Sequence, residues 1–119
     1  DVTRGTGIRL RNTYKFKNEI GGKTGTTQNN SDGWFMGITP NLVTGVWSGN
    51  EDRSVRFRST LYGQGANMAL PVWAEFMQRV YADSLTLGIY PESFEIPQST
   101  DVLLDCGSKN ESIEEYEEF

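Results

Sequence analysis

Three runs of residues separated by turn residues follow one another in the middle of the chain, which is the pattern of β-strands. We predict three strands, at about 22–28, 32–39 and 42–49, separated by turns at Asn29-Asn30-Ser31 and Pro40-Asn41. These connections are too short for a parallel crossover, so neighbouring strands must be antiparallel. The pattern therefore predicts a three-stranded meander.

Bulky side chains fall on both faces of this predicted sheet. Trp34 alternates with Phe35 on the second strand, and Trp47 lies on the third. A sheet with apolar residues on both faces is usually covered on both faces. We therefore expect the sheet to be covered on two sides, with these three aromatic residues in the core and not on a ligand platform.

A helical period follows the strands. Apolar residues recur every four positions between 68 and 83, which predicts an amphipathic helix packed across the sheet. Asn67 or Gly65 can begin this helix, and Pro71 is tolerated in its first turn. The predicted fold class is therefore α+β, an antiparallel meander with a C-terminal amphipathic helix packed on it.

The other segments carry weaker patterns. Residues 1–20 alternate only weakly and suggest an extended or irregular connector, while residues 53–66 resemble a polar loop. We expect residues 1–88 to be the folded portion, and residues 89–119 to be an acidic, poorly ordered tail.

Composition limits the possible functions. The chain has 119 residues, 36% of them hydrophobic, with a mean hydropathy of -0.52 and no run of about 18 apolar residues that could cross a bilayer. The net charge of -5 is uneven, because the basic residues concentrate before position 24 and nine acidic residues follow from Glu92 onward. The few basic residues, without a recognised binding motif, argue against nucleic acid as a partner.

The chain has one cysteine, Cys106, and no histidine. An internal disulfide and a zinc site built from cysteine and histidine are therefore impossible. Cys106 also has no histidine base in the chain, so we interpret it as a buried or tail thiol. We predict no metal and no cofactor.

The candidate chemistry lies in the run Lys23-Thr24-Gly25-Thr26-Thr27. On an extended strand Lys23, Gly25 and Thr27 share one face, and Thr24 and Thr26 share the other. Gly25 lets a ligand backbone approach closely, and an edge strand can pair with an extended peptide. The cation and hydroxyls favour a carboxylate, so the predicted ligand is a peptide end.

Nucleotide binding fits this run poorly. Gly22-Lys23-Thr24 matches the end of a phosphate-binding P-loop, but that motif needs glycine at position 17, which is Lys17. The residues after Thr24 also lack the apolar stripe of a helix.

Three ordered motifs follow one another along the chain, Gly22–Thr27 (Gly-Lys-Thr-Gly-Thr-Thr), Trp34–Pro40 (Trp-Phe-Met-Gly-Ile-Thr-Pro) and Leu42–Trp47 (Leu-Val-Thr-Gly-Val-Trp). Together they resemble the C-terminal part of the transpeptidase domain of bifunctional (class A) penicillin-binding proteins. The resemblance covers approximately residues 5–82. It implies a fragment of the serine β-lactamase/transpeptidase-like fold, in which the remainder of the domain completes the site.

The resemblance also implies an activity, which is the cross-linking of peptidoglycan stem peptides that end in D-Ala-D-Ala, with acylation by β-lactams. Such enzymes use a serine in a Ser-x-x-Lys motif. No serine of this chain has lysine three residues later, so we expect the nucleophile to lie outside it. The implied parent is extracytoplasmic, on the periplasmic side of the inner membrane, anchored by an N-terminal part not in this chain, and also carries a glycosyltransferase domain.

The resemblance assigns roles to residues 23–27. Lys23 would hold the substrate carboxylate, the hydroxyls of Thr24 and Thr26 would bind the terminal carboxylate, and the Thr26 N–H would be an oxyanion donor. Gly25 and Thr27 complete the predicted substrate-binding set.

Two alternatives remain open. Lys-Thr-Gly also occurs in β-lactamases and D,D-carboxypeptidases, so the chain could be a fragment of either. It could also be a non-catalytic module that captures a peptide on its edge strand.

Overall fold

A three-stranded antiparallel sheet with one long helix across it organises the chain. The structure is a computed structural model that describes residues 5–98. The strands are β1 (Gly21–Thr26), β2 (Asp32–Thr39) and β3 (Leu42–Gly49), in the order β1-β2-β3. The predicted α+β class and meander are confirmed, although β1 ends before residue 28 because Gln28–Asn30 form a 3₁₀ turn.

Short helices flank the sheet and one longer helix covers it. A 3₁₀ turn at Gly5–Ile8 leads into the first helix, and the helices are α1 (Arg9–Asn12), α2 (Thr60–Gly63), α3 (Gly65–Met68), α4 (Leu70–Ala82) and α5 (Ser84–Leu87). The predicted amphipathic helix is α4, which carries Pro71 in its first turn as expected. No helix among the described residues is long and apolar enough to cross a membrane.

Trp73 of α4 is the centre of the core. Its ring is fully buried and packs edge-on against Phe35 of β2, with ring centroids 5.1 Å apart. The indole N–H donates to Thr44 Oγ1 of β3 at 2.6 Å, which satisfies the one polar group of the ring. A side chain at Gly37 would clash with the indole, so this glycine lets the helix approach the sheet. The predicted packing of the helix across the strands is confirmed.

The strand register separates two unlike faces. Phe35 and its alternate neighbours point toward α4 and form the inner face. The outer face carries large apolar side chains that are partly exposed, including Trp34 at 44% and Trp47 at 46%. Phe35 is therefore core as predicted. Our prediction that both tryptophans are core and that the sheet is covered on two sides is wrong for residues 5–98, because α4 packs on only one face.

Residues 5–12 are helical, so the predicted extended or irregular connector is also wrong for this stretch. Ile8 and Leu10 suggested alternation, but Gly5, at φ +72°, turns the chain and only Leu10 enters the core. Arg9 lies between them and donates to the carbonyl oxygen of Ala66 at 3.0 Å. A contact 57 positions away thus helps to fix a helix that has no side-chain hydrogen bond at its N-cap.

The predicted polar loop at 53–66 contains α2 and the start of α3. Ser59 begins this helical stretch, because its Oγ accepts a hydrogen bond from the N–H of Leu61 at 3.2 Å. Serine at that position is a common helix N-cap that the loop interpretation ignored. Residues 89–98 contain no helix or strand, and the rest of the predicted tail, including Cys106, lies outside the described residues.

Candidate functional site

The predicted substrate strand, β1, is one edge of the sheet within residues 5–98. Lys23 lies opposite Met36 and therefore faces outward, whereas Thr24 lies opposite Phe35 and faces the covered side. Gly25 lies on the outer face with Lys23, and Thr26 lies on the inner face with Thr24. The predicted alternation along β1 is confirmed.

At the edge of β1 that no other strand of residues 5–98 pairs with, some backbone groups point out of the sheet. The N–H of Thr27 donates to the carbonyl oxygen of Asp32 at 3.0 Å, so Thr27 points its N–H toward β2. Because bonded and non-bonded pairs alternate in an antiparallel ladder, Gly25 also points its N–H and C=O toward β2. The N–H and C=O of Thr24 and Thr26 therefore point away from the sheet, where an extended peptide could pair with them.

The Thr26 hydroxyl is held from the inner face. Its Oγ1 accepts a hydrogen bond from the N–H of Gly65 at 3.0 Å. Gly65 is buried, and a side chain there would clash with the carbonyl oxygens of Gly25 and Trp34. Because the hydroxyl oxygen accepts from Gly65, its own proton remains able to donate to a ligand.

The Thr24 hydroxyl has a partner that the sequence interpretation missed. Thr6, in the 3₁₀ turn before α1, places its Oγ1 3.1 Å from Thr24 Oγ1, and the two hydroxyls share a hydrogen bond. The glycines at positions 5 and 7 signalled a turn, but nothing local indicated that the turn would reach β1.

Lys23 supplies the positive charge at this edge. Its side chain is exposed, and Nζ donates to the carbonyl oxygen of Thr24 at 2.6 Å. The ammonium group therefore lies beside the outward-pointing backbone groups of the strand. An ammonium group carries three donor hydrogens, so two remain for a carboxylate ligand.

Thr27 closes the turn after β1. Its hydroxyl donates to Asp32 Oδ2 at 2.9 Å, and Ser31 Oγ donates to the same carboxylate oxygen at 3.1 Å. The carboxyl group is almost fully buried, and the N–H of Asp32 donates back to Thr27 Oγ1 at 3.0 Å. This network fixes the direction in which β1 leaves the sheet, and a contact between Thr27 and substrate stays a prediction.

The arrangement can hold an extended peptide, but among residues 5–98 the hydroxyl of the nearest serine is not presented as a nucleophile. Ser31, the serine just beyond β1, is buried and its hydroxyl is directed to Asp32. Within residues 5–98 no group of three histidine, cysteine, aspartate or glutamate side chains lies close enough to hold a metal ion. The site is a binding edge with one cation and two oriented hydroxyls.

The chain is similar to a segment of penicillin-binding protein 1A. It is 35% identical over 99 residues to penicillin-binding protein 1A of Rickettsia conorii. The matched residues make up 82% of this chain and 11% of that relative. It is 39% identical over 79 residues to penicillin-binding protein 1A of Aquifex aeolicus (66% of this chain, 10% of the relative) and 43% identical over 61 residues to that of Neisseria flavescens (51% and 7%). No family model matches the chain, and no solved structure matches it.

These relatives support a protein of the penicillin-binding protein 1A type. The chain spans about a tenth of the length of the curated relatives it matches. These relatives therefore support the resemblance of this chain to penicillin-binding proteins. Its position in the C-terminal part of a transpeptidase domain stays a prediction.

Proposed function

We propose that this chain is the substrate-binding part of a serine D,D-transpeptidase of the penicillin-binding protein 1A type. The enzyme would cross-link peptidoglycan stem peptides ending in D-Ala-D-Ala and would be acylated by β-lactams. The observation that carries the proposal is the open edge of β1, on which Thr24 and Thr26 direct backbone groups away from the sheet. An extended peptide can add to such an edge as a further strand.

Each residue of the edge has a role in this proposal. Lys23 and the hydroxyls of Thr24 and Thr26 bind the terminal carboxylate, because ammonium and hydroxyl groups donate well to anionic oxygen. The N–H of Thr26, which points out of the sheet, is one oxyanion donor for the attacked carbonyl. Gly25 leaves room for the peptide backbone beside the strand.

The chemistry needs residues from outside this chain. A serine activated by a nearby lysine attacks the carbonyl of the penultimate D-Ala, which releases the terminal D-Ala and forms an acyl-enzyme. An amine from a second stem peptide then attacks the ester, which forms the cross-link and frees the serine. In this proposal the full-length protein acts on the periplasmic side of the inner membrane, is anchored by another segment, and also carries a glycosyltransferase domain.

One different class of function shares the same observation. An open strand edge without a Ser-x-x-Lys motif would also suit a non-catalytic peptide-binding module. The module would bind a D-Ala-D-Ala peptide reversibly as the 119-residue chain. The transpeptidase fragment would show neither that binding nor a covalent penicillin adduct on its own.

The decisive experiment substitutes Lys23 in the full-length protein. We expect Lys23→Ala to lower the rate of acylation by a fluorescent penicillin by roughly one to three orders of magnitude, because a preorganised positive charge is lost. Lys17→Ala removes another exposed cation, which lies outside β1, and should acylate normally. Near-normal labelling of the Lys23→Ala protein would contradict the assigned role.

A further inference from the structure

A basic loop lies beside the turn that follows the substrate strand. Between β3 and α2 the chain carries three arginines within six residues, Arg53, Arg56 and Arg58, and all three side chains are exposed. The sequence pattern shows only a polar loop here. The structure shows which surface the loop adjoins.

Two contacts attach this loop to the end of the substrate strand. The N–H of Phe57 donates to the carbonyl oxygen of Asn30 at 3.3 Å. Gly63 packs so closely on Asn30 that a side chain at position 63 would clash with it. The arginines on either side of Phe57 are therefore held beside the turn at Gln28–Asn30, directly beyond β1.

A cavity of about 270 Å³ lies at this junction. It is lined by Asn29, Asn30, Arg56, Phe57 and Arg58. Two guanidinium groups and two side-chain amides give it many hydrogen-bond donors and a positive charge. Guanidinium groups match carboxylates in both geometry and charge. The lining is therefore suited to a carboxylate-bearing group.

A peptide bound along β1 would extend toward this cavity, an inference that rests on the proposed function. In that function Lys23 and the hydroxyls of Thr24 and Thr26 bind the terminal carboxylate, and the N–H of Thr26 binds the attacked carbonyl. The C-terminal end of the peptide then lies toward Lys23, so the peptide runs antiparallel to β1. Its residues upstream of the attacked bond must then continue past Thr26 toward Asn29.

We propose that Arg56 and Arg58 form a subsite for an acidic residue of the bound peptide, upstream of the bond that is attacked. The subsite would select peptides that carry a free carboxylate at that point. The guanidinium groups would contact the substrate away from the reacting atoms, so they would determine which peptides bind and not how fast the bond is attacked. A β-lactam, which has no such upstream residue, would not use them.

The test compares two peptides on the full-length protein. Both end in D-Ala-D-Ala and differ only in one upstream residue, which carries a free carboxylate in one peptide and a carboxamide in the other. We expect the wild-type protein to prefer the carboxylate in kcat/KM. Substituting Arg56→Gln and Arg58→Gln together should reduce that preference by roughly three- to tenfold, mainly through KM, as expected for two partly solvated charge pairs.

Three controls make the outcome specific. Arg79→Gln removes an exposed charge from α4 and should leave the preference unchanged. Arg56→Lys with Arg58→Lys keeps the charge and should restore part of the preference. Acylation by penicillin reports on the proposed function and on folding, and should be equal in all these proteins.

An unchanged preference in the double Gln variant would overturn the subsite and leave the proposed function standing. If Arg79→Gln reduced the preference for the carboxylate peptide by the same factor, the subsite would also be overturned, because the effect would then come from net charge. Loss of penicillin acylation in the double Gln variant would show that the loop is structural. Absence of acylation in the wild-type protein would overturn the proposed function itself, and the subsite with it.

Discussion

The backbone N–H of Gly65 donates a hydrogen bond to Thr26 Oγ1 at 3.0 Å and so joins α3 to β1. The two residues are 39 positions apart. The contact orients the Thr26 hydroxyl, because the oxygen can accept from Gly65 only while its proton points elsewhere. A short helix outside the sheet thereby sets the direction in which the strand can donate to a ligand.

Replacing Thr26 by valine should remove the hydrogen bond between Gly65 and residue 26. Thr26→Val keeps the shape of the side chain but leaves the Gly65 N–H without its acceptor, which should lower the free energy of unfolding by roughly 0.5–1.5 kcal/mol. Penicillin acylation of the full-length protein should also slow, since a donor to the carboxylate is lost. Chemical denaturation and labelling rates measure the two effects. Thr26→Ser retains the hydroxyl and should retain both properties; equal losses in the serine variant would show that the hydroxyl is not responsible.

Gly65 should not accept a side chain. Gly65→Ala would push a Cβ against the carbonyl oxygens of Gly25 and Trp34, so we expect a loss of roughly 1–3 kcal/mol in the free energy of unfolding from overpacking. Gly21→Ala is the matched control, because the nearest atom there is 3.8 Å away, an ordinary contact. Thermal or chemical unfolding of the two variants measures the difference. Comparable stability of both would mean that α3 does not lie this close to β1.

Asp32 should stabilise the turn through its carboxylate. Asp32→Ala leaves the hydroxyls of Thr27 and Ser31 without their acceptor, and removing the acceptor for two mostly buried donors should cost roughly 1–3 kcal/mol of unfolding free energy. Asp32→Asn retains one oxygen acceptor, so its cost should be smaller. Chemical denaturation of both variants measures which substitution lowers the unfolding free energy more. A larger loss in the asparagine variant would mean that the hydroxyls are not the main partners of Asp32.

Local pattern was sufficient to predict the sheet, the main helix and the alternation along β1. The second and third strands are runs of strand-forming residues bounded by turn residues, and α4 repeats its apolar positions over three turns, so each has a signal of its own. The sheet faces on which Lys23 and Thr24 lie could be predicted from the two-residue period of a strand alone. These are properties of neighbouring residues, which a sequence displays directly.

Contacts between distant residues could not be predicted in this way. The exposure of Trp34 depends on which face α4 covers, and both faces of β2 carry bulky residues, so alternation could not decide. The partners Thr6 and Gly65 reach the substrate strand from 18 and 39 positions away, and neither lies in a long periodic element. The helix at 9–12 is one turn long, and its contact to Ala66 is equally remote.

The three tryptophans should differ in accessibility in the 119-residue chain. Trp73 is fully buried, whereas Trp34 and Trp47 on the outer face are nearly half exposed. Acrylamide should therefore quench most of the emission of Trp34 and Trp47 and little of that of Trp73. Replacing Trp34 and Trp47 by phenylalanine leaves Trp73 as the single emitter, with blue-shifted and poorly quenched fluorescence. Strong quenching in that double variant would contradict the packing of Trp73 under α4.

Tyr81 should make the stability of the fold depend on pH in the alkaline range. Burial raises the pKa of its phenol above the ordinary value, an effect that the hydrogen bond from Asn18 Nδ2, at 2.9 Å, partly offsets by favouring the ionised form. The folded state therefore holds the phenolic proton more tightly than the unfolded state, whose pKa is about 10. The contribution is fully present below that value and is lost as the pH rises from the unfolded to the folded pKa.

Replacing Tyr81 by phenylalanine should remove this part of the alkaline decrease in unfolding free energy. Asn18→Ala removes the offsetting hydrogen bond, so it should raise the Tyr81 pKa further, as measured by the ultraviolet absorbance of tyrosinate. A lower pKa in Asn18→Ala would show that the amide disfavours the ionised phenol, which would reverse the role given to this hydrogen bond.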